Sequence, residues 1–283
     1  MSLSINKIPV CGAGTMGSGI AQVFATNGFN TLLYDVSEEG LAKAKQSIHK
    51  NLQSLIQKEK LSEIEARKVL ERIQFISDIN NLTIDVVIEA IVEKLDVKVE
   101  LFQKIASYNS DKTILASNTS SLSIEQLANK IDHPERVIGM HFFNPAPLMK
   151  LVEVIQCKQT NPAVVNMILE LTKKLGKTPV LVNDSPGFIV NRVARHYYLE
   201  SMKAVEQGFD DIPAIDHLLE NVGFKMGPFK LMDLIGMDVN YSVSNIVWES
   251  LDKPHRFKPS IIQKNKVDKG ELGRKTGKGF YTY

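Results

Sequence analysis

The stretch Val10-Cys11-Gly12-Ala13-Gly14-Thr15-Met16-Gly17-Ser18-Gly19-Ile20-Ala21 constrains this chain more than any other. It reads as a short apolar strand running into a glycine turn of spacing G-x-G-x-x-G and then into a helix. Gly12 permits the tight turn, Gly14 lets the backbone approach a pyrophosphate, and Gly17 lets the helix pack closely on the strand. The N–H groups that open the helix, from Thr15 and Met16 onward, meet the anion. The spacing alone also suits a strand-to-helix turn that holds no ligand. Context favours the nucleotide, because Phe29 to Tyr34 reads as a second strand and ends in Asp35, 18 residues beyond Gly17. An acid there accepts both ribose hydroxyls of NAD and repels a 2′-phosphate, so NAD is favoured over NADP.

With 283 residues, 43% of them hydrophobic and 23% charged, the chain has the composition of a soluble globular protein of one large domain or two ordinary ones. A net charge of +2 gives no ground for a nucleic-acid or membrane partner. Cys11 and Cys157 are too few for a disulfide framework and lack the spacing of a metal-ligand pair. Both read as small buried apolar residues, and no metal is expected. Residues 1–7 carry no basic segment ahead of a long apolar core, and no apolar run approaches the roughly 20 residues needed to span a bilayer. A cytoplasmic location is the expectation.

Beyond Asp35, Ser37 with Glu38 and Glu39 suits a helix start, and Leu41, Ala44, Ile48, Leu52, Leu55 and Ile56 recur at helical spacing up to about Lys58. A capping box at Ser62 and Glu65 predicts a second helix to Arg72. The pair is longer than a plain crossover needs, which suggests a hairpin standing out from the sheet and offering Lys43, Lys45, Lys50 and Lys58 to an acidic ligand. A solvated basic face explains any single one of these lysines as well. Three nearly continuous apolar strands follow, Val86 to Ile88, Thr113 to Ala116 and Val137 to Met140, with helices at Lys98 to Ser107 and Ile124 to Lys130. Strands at Leu148 to Cys157 and Thr178 to Val182 flank a helix at Ala163 to Leu175. Such alternation predicts a doubly wound α/β sheet of Rossmann type. From Phe188 onward helical periodicity takes over, with helices at Phe188 to Gln207, Ile212 to Asn221, Pro228 to about Ser250 and Pro259 to Val267, and at most a final strand at Phe280-Tyr281. The expected division is a nucleotide-binding domain over 1–185 and an all-helical domain over 186–283.

Ligands of a parallel sheet gather beyond the carboxyl ends of its strands. Those ends read Glu89-Ala90-Ile91-Val92-Glu93, Ser117-Asn118-Thr119-Ser120-Ser121 and His141-Phe142-Phe143-Asn144-Pro145. Turn chemistry accounts for a single Ser or Asn equally well. His141 stands where a general base would face a bound cofactor, although a satisfied core histidine is the alternative. In Lys150-Leu151-Val152-Glu153-Val154-Ile155 the period of two puts Glu153 on the face of Leu151 and Ile155. A carboxylate among apolar residues needs a partner, and an imidazole suits it. Such a pair fixes the histidine tautomer and raises the basicity of the other ring nitrogen, the arrangement that removes a hydroxyl proton while hydride leaves the same carbon. Asn191, early in the helix after Phe188, is a candidate for a substrate oxygen or a plain helix-start polar residue.

These residues resemble the L-3-hydroxyacyl-CoA dehydrogenases over nearly the full length, and especially the short bacterial-type 3-hydroxybutyryl-CoA dehydrogenases. The resemblance rests on Gly12 to Gly17, Ala116 to Ser121, Gly139 to Pro145, Lys150 to Glu153, Asp184 to Phe188 and the terminal Lys275-Thr276-Gly277-Lys278-Gly279-Phe280-Tyr281. It implies that His141 is the base, Glu153 its orienting acid, and Ser120 and Asn191 hydrogen-bonding partners of substrate and transition state. It implies also that Asp35, Glu93, Lys98, Asn144 and Lys275 lie at or near NAD, and that Asn51 and Lys58 help hold CoA. The helical domain is then a dimer interface, and the substrate a short L-3-hydroxyacyl-CoA. Two rival readings are a dehydrogenase of a free hydroxy or sugar acid, for which Lys58 would be idle, and a non-catalytic crystallin-like relative, against which intact Ser120, His141, Glu153 and Asn191 weigh. Pro9 inside the first strand and Cys11 before the glycines depart from the pattern and put local strand geometry in question.

Overall fold

The computed structural model describes residues 7–80, 83–209 and 211–283. The amino-terminal segment in which no leader is expected lies, up to residue 6, outside the described residues. The chain divides into two compact units, Met1–Asp184 and Ser185–Tyr283.

The first unit is one eight-stranded sheet of order β3-β2-β1-β4-β5-β6-β7-β8. Its strands are β1 (Lys7–Cys11), β2 (Asn30–Tyr34), β3 (Ile73–Ile76), β4 (Val86–Glu89), β5 (Ile114–Ser117), β6 (Val137–Phe142), β7 (Leu151–Gln156) and β8 (Thr178–Asn183). The helices α1 (Thr15–Thr26), α2 (Glu38–Gln57), α3 (Glu63–Glu71), α4 (Leu95–Tyr108), α5 (Ile124–Ala128) and α6 (Pro162–Lys174) connect them. Strands β1, β4, β5 and β6 are buried almost throughout, as their unbroken apolar sequences require of strands covered on both faces.

Three features depart from expectation. Strand β3, which the sequence pattern does not mark, pairs in parallel with β2 and forms the sheet edge. The helices α2 and α3 therefore feed a strand of their own. Neither is a projecting hairpin, because Leu41, Ala44, Ile48 and Leu52 of α2 and Ala66 and Val69 of α3 are buried in the main core. Strand β7 is antiparallel to β6, and the sheet is parallel elsewhere. It is also shorter than the expected Leu148 to Cys157, since Leu148 and Met149 donate their N–H groups to the Pro145 carbonyl in a turn. Pro9 is accommodated without cost to the ladder. Cys11 O accepts from Ala90 N on the β4 side, Pro9 shares that side, and β4 pairs only with Val10 and Cys11.

The second unit holds α7 (Val190–Glu206), α8 (Ile212–Asn221), α9 (Pro228–Ile235), α10 (Met237–Ser250) and α11 (Ile261–Asp268) around Tyr198, Leu199, Met202, Phe229, Met232, Met237, Val247 and Phe257. The single helix expected from Pro228 to Ser250 is two, broken at Gly236, whose φ of 101° no helix contains and which glycine adopts at low cost. The tail forms isolated bridges at Gly273 with Lys278 and at Lys278 with Thr282 in place of a strand. Buried Asp233 holds it by accepting from the Phe280 and Tyr281 N–H groups, and the Tyr281 hydroxyl donates to buried Asp216.

Candidate active site

The glycine turn has three different steric environments. A Cβ on Gly12, at φ 105°, would lie 2.4 Å from the Ala90 carbonyl oxygen, and one on Gly17 would lie 1.7 Å from the Gly12 oxygen. Both positions are closed to any side chain. At Gly14 a Cβ would meet no protein atom within 4 Å. That open space lies at the N-cap of α1, where no side chain caps the helix. Its first amides, from Thr15 and Met16 onward, have no partner within the helix and favour an anion. Asp35 follows β2 and closes the turn from the side, its carboxylate accepting from Ala13 N at 2.7 Å and Ser37 N at 2.9 Å. The residues present fit a dinucleotide: amides for the pyrophosphate, a gap where its backbone approach is needed, and a carboxylate one strand over.

Beside this turn the end of β4 carries an ion-pair cluster. Lys98 of α4 is 1% exposed, and its Nζ lies 2.6 Å from Glu89 Oε1 and 3.1 Å from Glu93 Oε2. Glu89, fully buried, also accepts from the Ser117 hydroxyl at 2.6 Å and Ile91 N at 2.7 Å. Burial pushes its carboxyl up, with Lys98 and the Ser117 and Ile91 donors opposing. Burial pulls the Glu93 carboxyl the same way, but the Lys98 charge and the bonds from Thr119 and Ser120 outweigh it and hold Glu93 below the usual range. Glu93 Oε1 gathers the loop after β5, accepting from the Thr119 hydroxyl at 2.6 Å, Ser120 N at 2.9 Å, the Ser120 hydroxyl at 3.4 Å and the Ser121 hydroxyl at 3.1 Å. Ser120 thus takes its place from a carboxylate 27 positions earlier, itself held by a buried lysine.

The antiparallel register sets His141 of β6 directly opposite Glu153 of β7. Both are buried, and His141 Nδ1 lies 2.9 Å from Glu153 Oε2. With Nδ1–H donating to the carboxylate, Nε2 carries the acceptor lone pair of this tautomer. The Phe143 ring lies against the imidazole, centroids 4.5 Å apart. Next to His141, Phe142 N donates to Asn118 Oδ1 at 2.8 Å, which ties the ends of β5 and β6 together. Asn144 is exposed and begins the loop beyond, at a cis bond to Pro145.

Asn51 of α2 bonds Gln22 of α1 at 3.3 Å, and Lys58 is the exposed C-cap of α2. Lys43 pairs with Glu39, and Lys45 lies over the Phe75 ring. Asn191 and Lys275 belong to the second unit. Asn191 is the second residue of α7, its carbonyl accepting from Arg195 Nε at 3.2 Å, and Lys275 Nζ lies 2.5 Å from Asp238 Oδ1. Both cysteines are buried thiols, and burial with the charges of Glu89 and Asp35 pushes the Cys11 thiol well up. Glu89, Ser117 and Asn118, which the sequence marks only as strand ends, hold the neighbouring loops through their side chains. Glu89, at the end of Val86-Val87-Ile88, carries the signal that marks Glu153, a carboxylate among apolar strand residues.

The chain matches known proteins over nearly its whole length. Residues 7–185 match the family model for the NAD-binding domain of 3-hydroxyacyl-CoA dehydrogenase, and residues 187–283 match that for its C-terminal domain. The chain is similar to the 3-hydroxyadipyl-CoA dehydrogenase of Escherichia coli K12, at 45% identity over the whole of this chain and 60% of that longer protein. It is similar also to a probable 3-hydroxybutyryl-CoA dehydrogenase of Deinococcus radiodurans, at 40% identity over 98% of this chain and 100% of the other. The crystal structure of (S)-3-hydroxybutyryl-CoA dehydrogenase from Ralstonia eutropha superposes with a TM-score of 0.93 at 38% identity, covering 99% of both chains. The chain belongs to the 3-hydroxyacyl-CoA dehydrogenase family of NAD-dependent oxidoreductases.

Proposed function

We propose that the protein catalyses the reversible NAD-dependent oxidation of an L-3-hydroxyacyl-CoA to the 3-oxoacyl-CoA, with 3-hydroxybutyryl-CoA as the first substrate to test. The observation that carries this reading is the buried His141–Glu153 pair, set face to face next to β5, whose end carries Ser120, in the sheet whose β1 carries the glycine turn. NAD, when bound, supplies the hydride acceptor. His141 Nε2 takes the hydroxyl proton, and the Glu153 carboxylate stabilises the imidazolium that results and holds the ring in the tautomer that can accept. Ser120, placed by Glu93 through its backbone N–H, turns its hydroxyl from Glu93 to donate to the substrate oxygen. Lys98 acts on this region through Glu93, since its ammonium is enclosed by the two carboxylates. Asp35 beside the turn supports NAD over NADP. The roles of Asn191 toward the substrate oxygen, Asn144 and Lys275 toward NAD, and Asn51 and Lys58 toward CoA rest on the resemblance. A homodimer in the cytoplasm completes the reading; among the described residues no helix is long and apolar enough to cross a membrane.

The assay is NADH consumption with acetoacetyl-CoA against free acetoacetate, repeated with NADPH. Turnover of the thioester with NADH, and little with the free acid or NADPH, is the expected result. Equal rates on the free acid would move the protein to the free-hydroxy-acid reading, and binding without turnover would make it non-catalytic. The 45% identity to a protein named 3-hydroxyadipyl-CoA dehydrogenase favours adding 3-hydroxyadipyl-CoA, a dicarboxylic substrate, in the oxidation direction.

A further inference from the structure

Lys177 stands between α6 and β8, outside the residues assigned to chemistry. Its Nζ lies 2.7 Å from the Ala146 carbonyl oxygen, 2.8 Å from that of Met149 and 3.3 Å from that of Pro147. An ammonium has three donors, and here all three go to one loop. That loop, residues 143–150, joins the strand of His141 to the strand of Glu153. Two of its residues are prolines, without N–H groups, and three of its carbonyls converge on the Lys177 ammonium, whose charge and donors offset their mutual repulsion. The loop also abuts the cofactor helix: a Cβ on Gly19 of α1 would lie 3.3 Å from Ala146 Cβ and 3.3 Å from Pro147 Cδ. The backbone beside Lys177 is anchored too, since Thr178 N donates to Lys150 O at 2.8 Å where β8 joins the sheet.

We propose that Lys177 is a positioning residue of the reaction, whose ammonium acts as a built-in cation that gathers the 146–149 carbonyls and so sets the connection between His141 and Glu153 against the cofactor helix. Burial lowers the lysine's affinity for its proton, and the three carbonyls keep the ammonium in place. Lys177→Ala removes the charge and every donor and leaves the volume of the side chain open to an ion. The carbonyls that remain form a cage of the kind that accepts a small monovalent cation in place of its hydration shell, so ammonium ion in the buffer can substitute for the lost head group.

This inference rests on the proposed reaction for one of its two readouts. On full-length protein, Lys177→Ala should lower kcat for acetoacetyl-CoA reduction by roughly 10- to 100-fold, the range expected when a group far from the chemistry shifts the reacting geometry by about an ångström. It should also weaken NADH binding, read by fluorescence titration without any acyl substrate. Ammonium chloride should restore both more than tetramethylammonium chloride at the same ionic strength, because only the smaller ion fits between the carbonyls. Lys173→Met, which removes an exposed lysine of α6 paired with Glu170, is the control and should leave both unchanged. If the alanine variant does not fold, Lys177→Ser is measured in the same way. Unchanged kcat and NADH affinity would overturn the proposal, and so would a loss that ammonium repairs no better than tetramethylammonium does. An unmodified chain that binds NADH but ignores acetoacetyl-CoA would refute the substrate reading, and the NADH arm would still decide the role of Lys177.

Discussion

His141 and Glu153 face each other because two alternating strands meet in antiparallel register, and the pair is buried deeply enough that neither partner is replaced by water at low cost. If they act as one unit, their losses should not multiply. His141→Gln should lower kcat by roughly 10²- to 10⁴-fold, the value of a placed general base, with NADH still bound. Glu153→Gln keeps the shape and removes the charge that stabilises imidazolium, so kcat should fall here also. The double variant should be little worse than His141→Gln alone. Steady-state kinetics on the four proteins checks this, and independent, multiplying losses would separate the two residues. At this scale the sequence was readable at His141 and Glu153, where a polar side chain interrupts an apolar strand. It was silent on Lys98 as a buried cation and on Lys177, because both owe their environment to partners brought in by the fold; the Ala146 carbonyl is 31 positions from Lys177.

The strand-turn-helix unit β1–α1 makes a second test, because its glycines look alike in sequence and differ in space. Gly14 has an extended backbone and open space beside it, so Gly14→Ala should change stability by less than about 0.5 kcal/mol while raising the Kd for NADH. Gly17→Ala forces a Cβ into the Gly12 carbonyl, and overpacking against backbone should cost about 3 kcal/mol or more. Thermal melts with NADH titrations distinguish the two; a stable Gly17→Ala variant with normal binding would contradict the geometry. Other elements were legible to different degrees for physical reasons. The antiparallel turn into β7 was implied by length, since the eight residues 143–150 are too few for a parallel crossover. The edge strand β3 is four residues long, only partly buried, and follows a helix without a glycine or proline to mark it. Its identity comes from pairing with β2, which local pattern does not carry. The break at Gly236 had its signal in the glycine itself, outweighed by helical spacing on either side.

The helical unit leaves apolar surface that its own core does not cover. Of the ten residues of α8 only Asp216 is buried, whereas Leu218 is 61% exposed and Val222, one turn on at its C-cap, 67%. Phe209, Phe224, Val193 and Ile261 are exposed as well. Isolated exposed apolar residues are ordinary on any surface, but two on successive turns of one helix, with aromatic neighbours along the chain, suit a face covered by a second copy. A stable dimer of ordinary size buries about 1,600 Å² in all, an area within reach of such a helical face. Light scattering at micromolar concentration should therefore return twice the 31.6 kDa chain mass. Leu218→Asp combined with Val222→Asp should shift the mass toward one chain, since charges placed at the centre of a closed interface must be desolvated without partners. The helices should survive in circular dichroism, because both side chains point away from the core of Phe229, Met232 and Val247. A single-chain mass for the unmodified protein would remove the dimer from the proposed function. A dimer indifferent to both aspartates would keep the assembly and move its interface away from α8.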